Sequence, residues 1–85
     1  EDWQRFTHYF NELNQNFIQR LKEKYPNLTN HDHKLAAYLR MNLTTKEIAA
    51  LTNTSIRGVE GSRYRLRKKM GLQNEQNLSD IINNI

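Results

Sequence analysis

Large apolar residues recur along the chain in helical stripes separated by polar breaks. In the first stripe Trp3, Phe6, Phe10, Leu13, Phe17 and Leu21 follow one another at intervals of 3, 4, 3, 4 and 4, the spacing of one face of an α-helix. Asn14-Gln15-Asn16 interrupts it, so the segment reads either as one continuous helix or as two, with Asn14 the N-cap of the second. Pro26, in Tyr25-Pro26-Asn27, ends it. Such an aromatic stripe can pack on the rest of the domain, or it can continue a signalling helix or coiled coil whose seam meets a partner chain.

Thr29 and Asp32 have the spacing of a capping box, which predicts a helix from Asn30 to about Met41 with Leu35, Tyr38 and Leu39 inward. Asn42 suits its end, because asparagine tolerates the left-handed conformation. A second box, Thr44 with Glu47, opens a short helix at Thr45 that turns Ile48, Leu51 and Thr52 inward and leaves small Ala49 where another helix can cross closely. Thr52-Asn53-Thr54-Ser55 is a polar turn, and Ser55 is the N-cap of the longest helix, Ile56 to Met70. A period of 3.6 puts Val59, Ser62, Leu66 and Met70 on its core stripe and Arg57, Gly61, Tyr64 and Lys68 on the opposite one. Gly71 suits the position after it, and Leu78, Ile81, Ile82 and Ile85 form a last stripe.

Charge changes this picture from a plain helical bundle to one with a cationic unit. Residues 1–42 carry six Lys/Arg against five Asp/Glu, 43–71 carry seven against two, and 72–85 carry none against two, giving +1, +5 and −2 of the net +4. The excess lies in the short helix, turn and long helix, the localisation that phosphate neutralisation with counterion release requires. The helix dipole favours cations near the C-terminus of the long helix, where Arg63, Arg65, Arg67, Lys68 and Lys69 stand, but disfavours Arg57 in its first turn. Gly58 and Gly61 each cost roughly 1 kcal/mol of helix stability relative to alanine. Close backbone approach to a duplex or to the preceding helix is what would offset them.

Other chemistry is scarce. With 85 residues there is room for one small domain, and without cysteine there is neither a disulfide framework nor a thiolate metal site. His31 and His33 flank Asp32, but i and i+2 side chains on a helix point about 160° apart and do not converge on one ion, so solvated first-turn histidines are expected. No nucleophile constellation or phosphate-cradling glycine loop is patterned, so the expectation is a binding domain, with no enzyme activity, no cofactor and no small-molecule ligand in this segment. No apolar run reaches membrane-spanning length and no signal peptide is visible, and with cysteine absent the expected location is the reducing cytoplasm. A start at Glu1 without methionine suggests a piece of a longer polypeptide.

Leu28-Thr29 with Asp32, the run Leu43-Thr44-Thr45-Lys46-Glu47-Ile48-Ala49, and then Ser55, Val59, Leu66, Lys69, Met70 and Gly71, all without gaps, resemble the LuxR-type (GerE-type) helix-turn-helix of bacterial response regulators and related transcription factors. The likeness covers residues 28–85. It implies an all-α fold, a four-helix LuxR-type helix-turn-helix domain at 28–85, with one or two extra N-terminal helices in a leader at 1–27 that follows an upstream region. Departures from the family pattern are Thr52 and Thr54 where apolar residues are usual, Gly58 for threonine, Glu60 for lysine and Ser62 for histidine.

The function expected is therefore sequence-specific binding of double-stranded DNA as the C-terminal output domain of a bacterial transcriptional regulator. Arg57, Gly61 and Tyr64 are the candidates for base-edge or groove-floor contact, and Glu60 can accept from cytosine N4. Thr45, Lys46, Arg65, Arg67 and Lys68 are the candidates for phosphates. The resemblance implies a dimer contact through the last helix, at Leu78, Ile81, Ile82 and Ile85, hence a homodimer on two half-sites about 34 Å apart. Two alternatives stay open. One is a sigma-factor-like region that reads promoter DNA and contacts RNA polymerase; the other is a helical protein–protein interaction module.

Overall fold

The computed structural model describes residues 16–85 together with Arg5, His8, Phe10, Glu12 and Asn14. Among them there are helices and no strands: Arg5, His8, Phe10 and Glu12 are helical, and α1 (Phe17–Lys24), α2 (Asn30–Arg40), α3 (Thr45–Leu51), α4 (Ile56–Lys69) and α5 (Leu78–Asn83) follow. None of these helices is long and apolar enough to cross a membrane.

The starts of the helices are where local sequence acts most directly. Thr29 and Thr44 each accept from the backbone N–H three residues on, and Asp32 and Glu47 accept in return from the threonine N–H groups, completing both capping boxes. Ser55 Oγ accepts from Gly58 N–H at 2.9 Å to open α4, and Asn77 accepts from Asp80 N–H to open α5.

Three helices stop in the same way. Asn42, Asn53 and Gly71 adopt φ of 63°, 56° and 68°, and the next residue in each case donates back to the carbonyl five positions earlier: Leu43 to Tyr38, Thr54 to Ala49 and Leu72 to Arg67. These are Schellman ends, which satisfy carbonyls a helix would otherwise leave unpaired.

The first apolar stripe is broken, the two-helix alternative. The break does not use Asn14 as the cap. Asn14 donates its backbone N–H and its side-chain amide to the Phe10 carbonyl, closing the turn before, and the residue preceding α1 is Asn16, left-handed at φ 62° with no side-chain capping bond. Phe10 and Phe17 meet edge to face across this break, 5.7 Å between centroids and 72° between planes, and both are buried with Ile18 and Leu21 in the core. Those members of the stripe pack on the domain; Trp3, Phe6 and Leu13 lie outside the described residues.

A single core joins the elements. Phe17, Ile18 and Leu21 meet Leu35, Ala36 and Leu39 of α2, Ile48 and Ala49 of α3, Val59 and Leu66 of α4, and Leu78 and Ile82 of α5. α3 packs on α4, and α2 lies against α1, α4 and α5. Two arginines hold the C-terminal end of α5. Arg40 donates to the carbonyls of Ile82 and Asn83 while its guanidinium lies 5.0 Å over the Phe17 ring, and Arg20 donates to the Ile85 carbonyl at 3.0 Å.

Three sequence expectations are corrected. Leu51 and Thr52 do not face inward: α3 is short, its buried side is Ile48 and Ala49, and Leu51 keeps 59% of its surface exposed. Ser62 is half-buried, outside the apolar core, its hydroxyl bonded to His31 across the α2–α4 boundary. His33 is not solvated. It is 6% exposed, and its Nε2 is a buried polar atom with no partner among the described residues.

Candidate nucleic-acid interface

Once Val59, Leu66 and Met70 are turned into the core, helical geometry leaves the opposite face of α4 outside. Arg57 and Glu60 stand exposed near its N-terminal end, and their side chains make no hydrogen bond or ion pair with any described residue. Tyr64 follows with 60% of its surface exposed, and the Lys68 ammonium lies 5.3 Å over its ring, extending an aromatic–cation pair along the same row. Gly61 lies half-buried between these charges.

The two glycines do not serve helix–helix packing. A Cβ at Gly58 would come 3.2 Å from the Ser55 hydroxyl, its own helix's cap, and one at Gly61 would come 3.4 Å from the movable Arg65 guanidinium. Neither position is approached by α3. The helix-crossing reason for these residues is therefore removed: Gly58 faces the space between α2, α3 and α4, and Gly61 leaves bare backbone on the outward face.

The positions assigned to phosphate divide into two kinds. Thr45 and Lys46 lie at the start of α3, Lys46 exposed, and Arg65 and Lys68 are exposed on α4 with Arg65 Nη2 reaching the Ser62 hydroxyl at 3.3 Å. Arg67 is engaged within the chain. Its guanidinium donates to the carbonyls of Gln73 and Gln76, both at 2.6 Å, and of Asn74 at 3.4 Å, holding the loop between α4 and α5. Lys69 is likewise taken, 2.7 Å from the Asp32 carboxylate.

That ion pair has electrostatic consequences at the other end of α4. Burial pushes the Asp32 carboxyl up, but the Lys69 ammonium together with the Thr29 N–H and hydroxyl outweighs it, so the group is held below its ordinary value. The neighbouring His33 is pushed the other way for a base: burial, then the Lys22 charge, lower it, and Asp32 only partly opposes them.

The residues assigned to a dimer contact also separate. Leu78 and Ile82 are 2% and 0% exposed and are spent on the chain's own core, so they have no surface to offer a partner. Ile81 and Ile85 are half-buried against the core. No group of three or more His, Cys, Asp or Glu able to hold a metal exists among the described residues.

Sequence reasoning missed the Arg67 clamp and the burial of His33. The first depends on a loop folding back toward α4, a relation with no periodic signature. The second depends on tertiary packing around the first turn of α2, where the Lys22 charge also reaches His33, which the α2 pattern alone does not carry. Comparison with known proteins adds nothing to this geometry, since no family model, curated protein or solved structure matches the chain.

Proposed function

We propose that this chain binds double-stranded DNA in a sequence-specific way, as the output domain of a bacterial transcriptional regulator of LuxR type. The observation that supports it is the outward face of α4, joined to α3 by a short turn: Arg57, Gly61, Tyr64 and Lys68 in one row, flanked by Arg63 and Arg65, with bare backbone at the glycine. A helix of this length lies in a major groove, Arg57 reaches guanine O6 and N7, and Glu60 accepts from cytosine N4. Thr45, Lys46, Arg65 and Lys68 take phosphates on either side and fix the register. In this reading the domain reads DNA and carries out no chemistry, and Ile81 of α5 with Ile85 just beyond it is what this end of the chain offers a second copy.

The test is selection of sites from a randomised duplex library at physiological salt, with Arg57→Ala as control. An enriched motif is expected, and Arg57→Ala should cost about 1–3 kcal/mol and relax one position of it. Binding without any enriched motif, or binding that vanishes at physiological salt, would overturn the proposal.

A further inference from the structure

The first turn of α2 and the middle of α4 meet at one hydroxyl. His31 Nε2 lies 3.2 Å from Ser62 Oγ, and Arg65 Nη2 donates to the same oxygen at 3.3 Å. Successive helix residues are set about 100° apart, so Arg65 stands roughly 40° round α4 from Gly61, and Ser62 roughly 60° beyond Arg65. Because Ser62 touches α2, that direction leads from the outward row of Arg57, Gly61, Tyr64 and Lys68, across Arg65, to His31. The path lies on the surface: His31 and Arg65 are exposed and Ser62 is half-buried.

The hydrogen bonds around Ser62 depend on the charge of His31. With Arg65 donating to Oγ, the serine proton is left for Nε2 of a neutral imidazole, whose own proton is then on Nδ1. A protonated imidazole donates at Nε2 as well, so Oγ receives two cationic donors and its own proton is released for another acceptor. Among the described residues no carboxylate bonds His31 or Arg65. Asp32, next to His31 along α2, is engaged by Lys69 and by the Thr29 cap. The other charges about His31 are cations, Lys34 one turn further along α2 and Arg65 and Lys69 on α4. α3 brings none, since its side of the space between the three helices is Ile48, Leu51 and Thr52, followed by Thr54. Two cations and a free hydroxyl proton, with no carboxylate bonded to them, are a donor set for phosphate oxygens.

We propose that His31, Ser62 and Arg65 together grip one phosphodiester of the duplex backbone beside the tract that α4 reads, and that protonation of His31 tightens the grip. This rests on the DNA-binding reading above and adds to it a third element, α2, on the duplex and a coupling of affinity to pH. Sequence reasoning placed His31 among solvated histidines and Ser62 on the core stripe, so neither entered the phosphate contacts.

The experiment is duplex binding by the full chain, followed by fluorescence anisotropy at several salt concentrations at about pH 5.5 and about pH 8, which bracket the usual charge change of an imidazole. Affinities are referred to the folded fraction, read by circular dichroism. The native chain should bind up to about fivefold more tightly at the lower pH, the most an exposed charge pair supplies, with a salt slope steeper by about 1. His31→Gln keeps His33 and every other titrating group, so its response is the background, and it should lack the added slope. His31→Arg, a fixed charge, should hold the steeper slope at both pH values. An equal pH response in the native chain and His31→Gln, or a slope that does not change with pH, would overturn this phosphate contact and leave DNA binding by α4 standing. A chain that binds no duplex at either pH would overturn both.

Discussion

The Lys69 ammonium meets the Asp32 carboxylate at 2.7 Å, tying the last turn of α4 to the first turn of α2 across 37 positions of sequence. Asp32 is 4% exposed and is also one half of the capping box with Thr29, so one carboxylate starts a helix and anchors the end of another. Asp32→Asn should therefore destabilise the domain by about 1–3 kcal/mol, the worth of a hydrogen bond to a charged group. Urea unfolding measures it. A change near zero would mean that the Thr29 cap alone holds this corner.

The same pair sets an acid limit. Because the Asp32 carboxyl is held below its ordinary value, its contribution is complete above about pH 4, the unfolded value, and is lost as pH falls through the folded one. In Lys69→Met burial should dominate, and the acid unfolding midpoint should move to higher pH. A midpoint that stayed in place would assign the acid limb to another carboxylate.

His33 acts in the same direction in a higher window. Held neutral by burial and by Lys22, it takes up a proton more readily in the unfolded chain, so stability is full above about pH 6.5 and declines as pH falls toward its folded value. His33→Leu, which removes a buried nitrogen without a partner, should flatten the stability profile just below pH 6.5 or so. An unaltered profile would show that protonation of His33 does not limit stability in this window.

Arg67 and Lys68 are neighbours on α4 with opposite expectations. Lys68→Ala should weaken specific and random DNA alike and lower the salt slope by about 1, leaving stability within about 0.5 kcal/mol. Arg67→Ala strips the Gln73 and Gln76 carbonyls of their donor and should cost about 1–2 kcal/mol of stability, with a salt slope close to the original. A slope that fell equally in both variants would return Arg67 to the phosphate contacts.

Glu60 stands beside Arg57 without pairing to it. Glu60→Gln should tighten binding to random duplex, because a carboxylate repels phosphate, while relaxing preference at one G·C pair. Quantitative competition between matched and mismatched duplexes separates the two effects; tighter binding with unchanged preference would show that Glu60 reads no base.

The helices were legible because their ends are encoded within a few residues. Thr29 with Asp32, Thr44 with Glu47, and Ser55 mark starts, while Asn42 and Gly71 mark stops, and all five behave in the fold as their chemistry requires. Inward and outward faces were legible where a helix is long, as in α4, and less so where it is short. In α3 an i, i+3 spacing placed Leu51 inside, but seven residues give too little length for the far end to reach the core. The candidate site was legible as a charge distribution and not as an inventory of free charges. Arg67 and Lys69 count as cations in sequence, and only the fold shows that a loop and a carboxylate occupy them.

The left-handed Asn16 between Phe10 and α1 has a mechanical consequence. The left-handed φ at Asn16 takes the backbone off the helical path, so α1 does not simply continue the turn that Asn14 closes onto the Phe10 carbonyl. Among the described residues, the Phe10–Phe17 ring contact and the Arg20 side chain, which reaches the Asn14 carbonyl at 3.4 Å, span the joint. A load carried by the Phe10–Phe17 ring pair reaches, through Phe17, the Arg40 guanidinium that holds the carbonyls of α5.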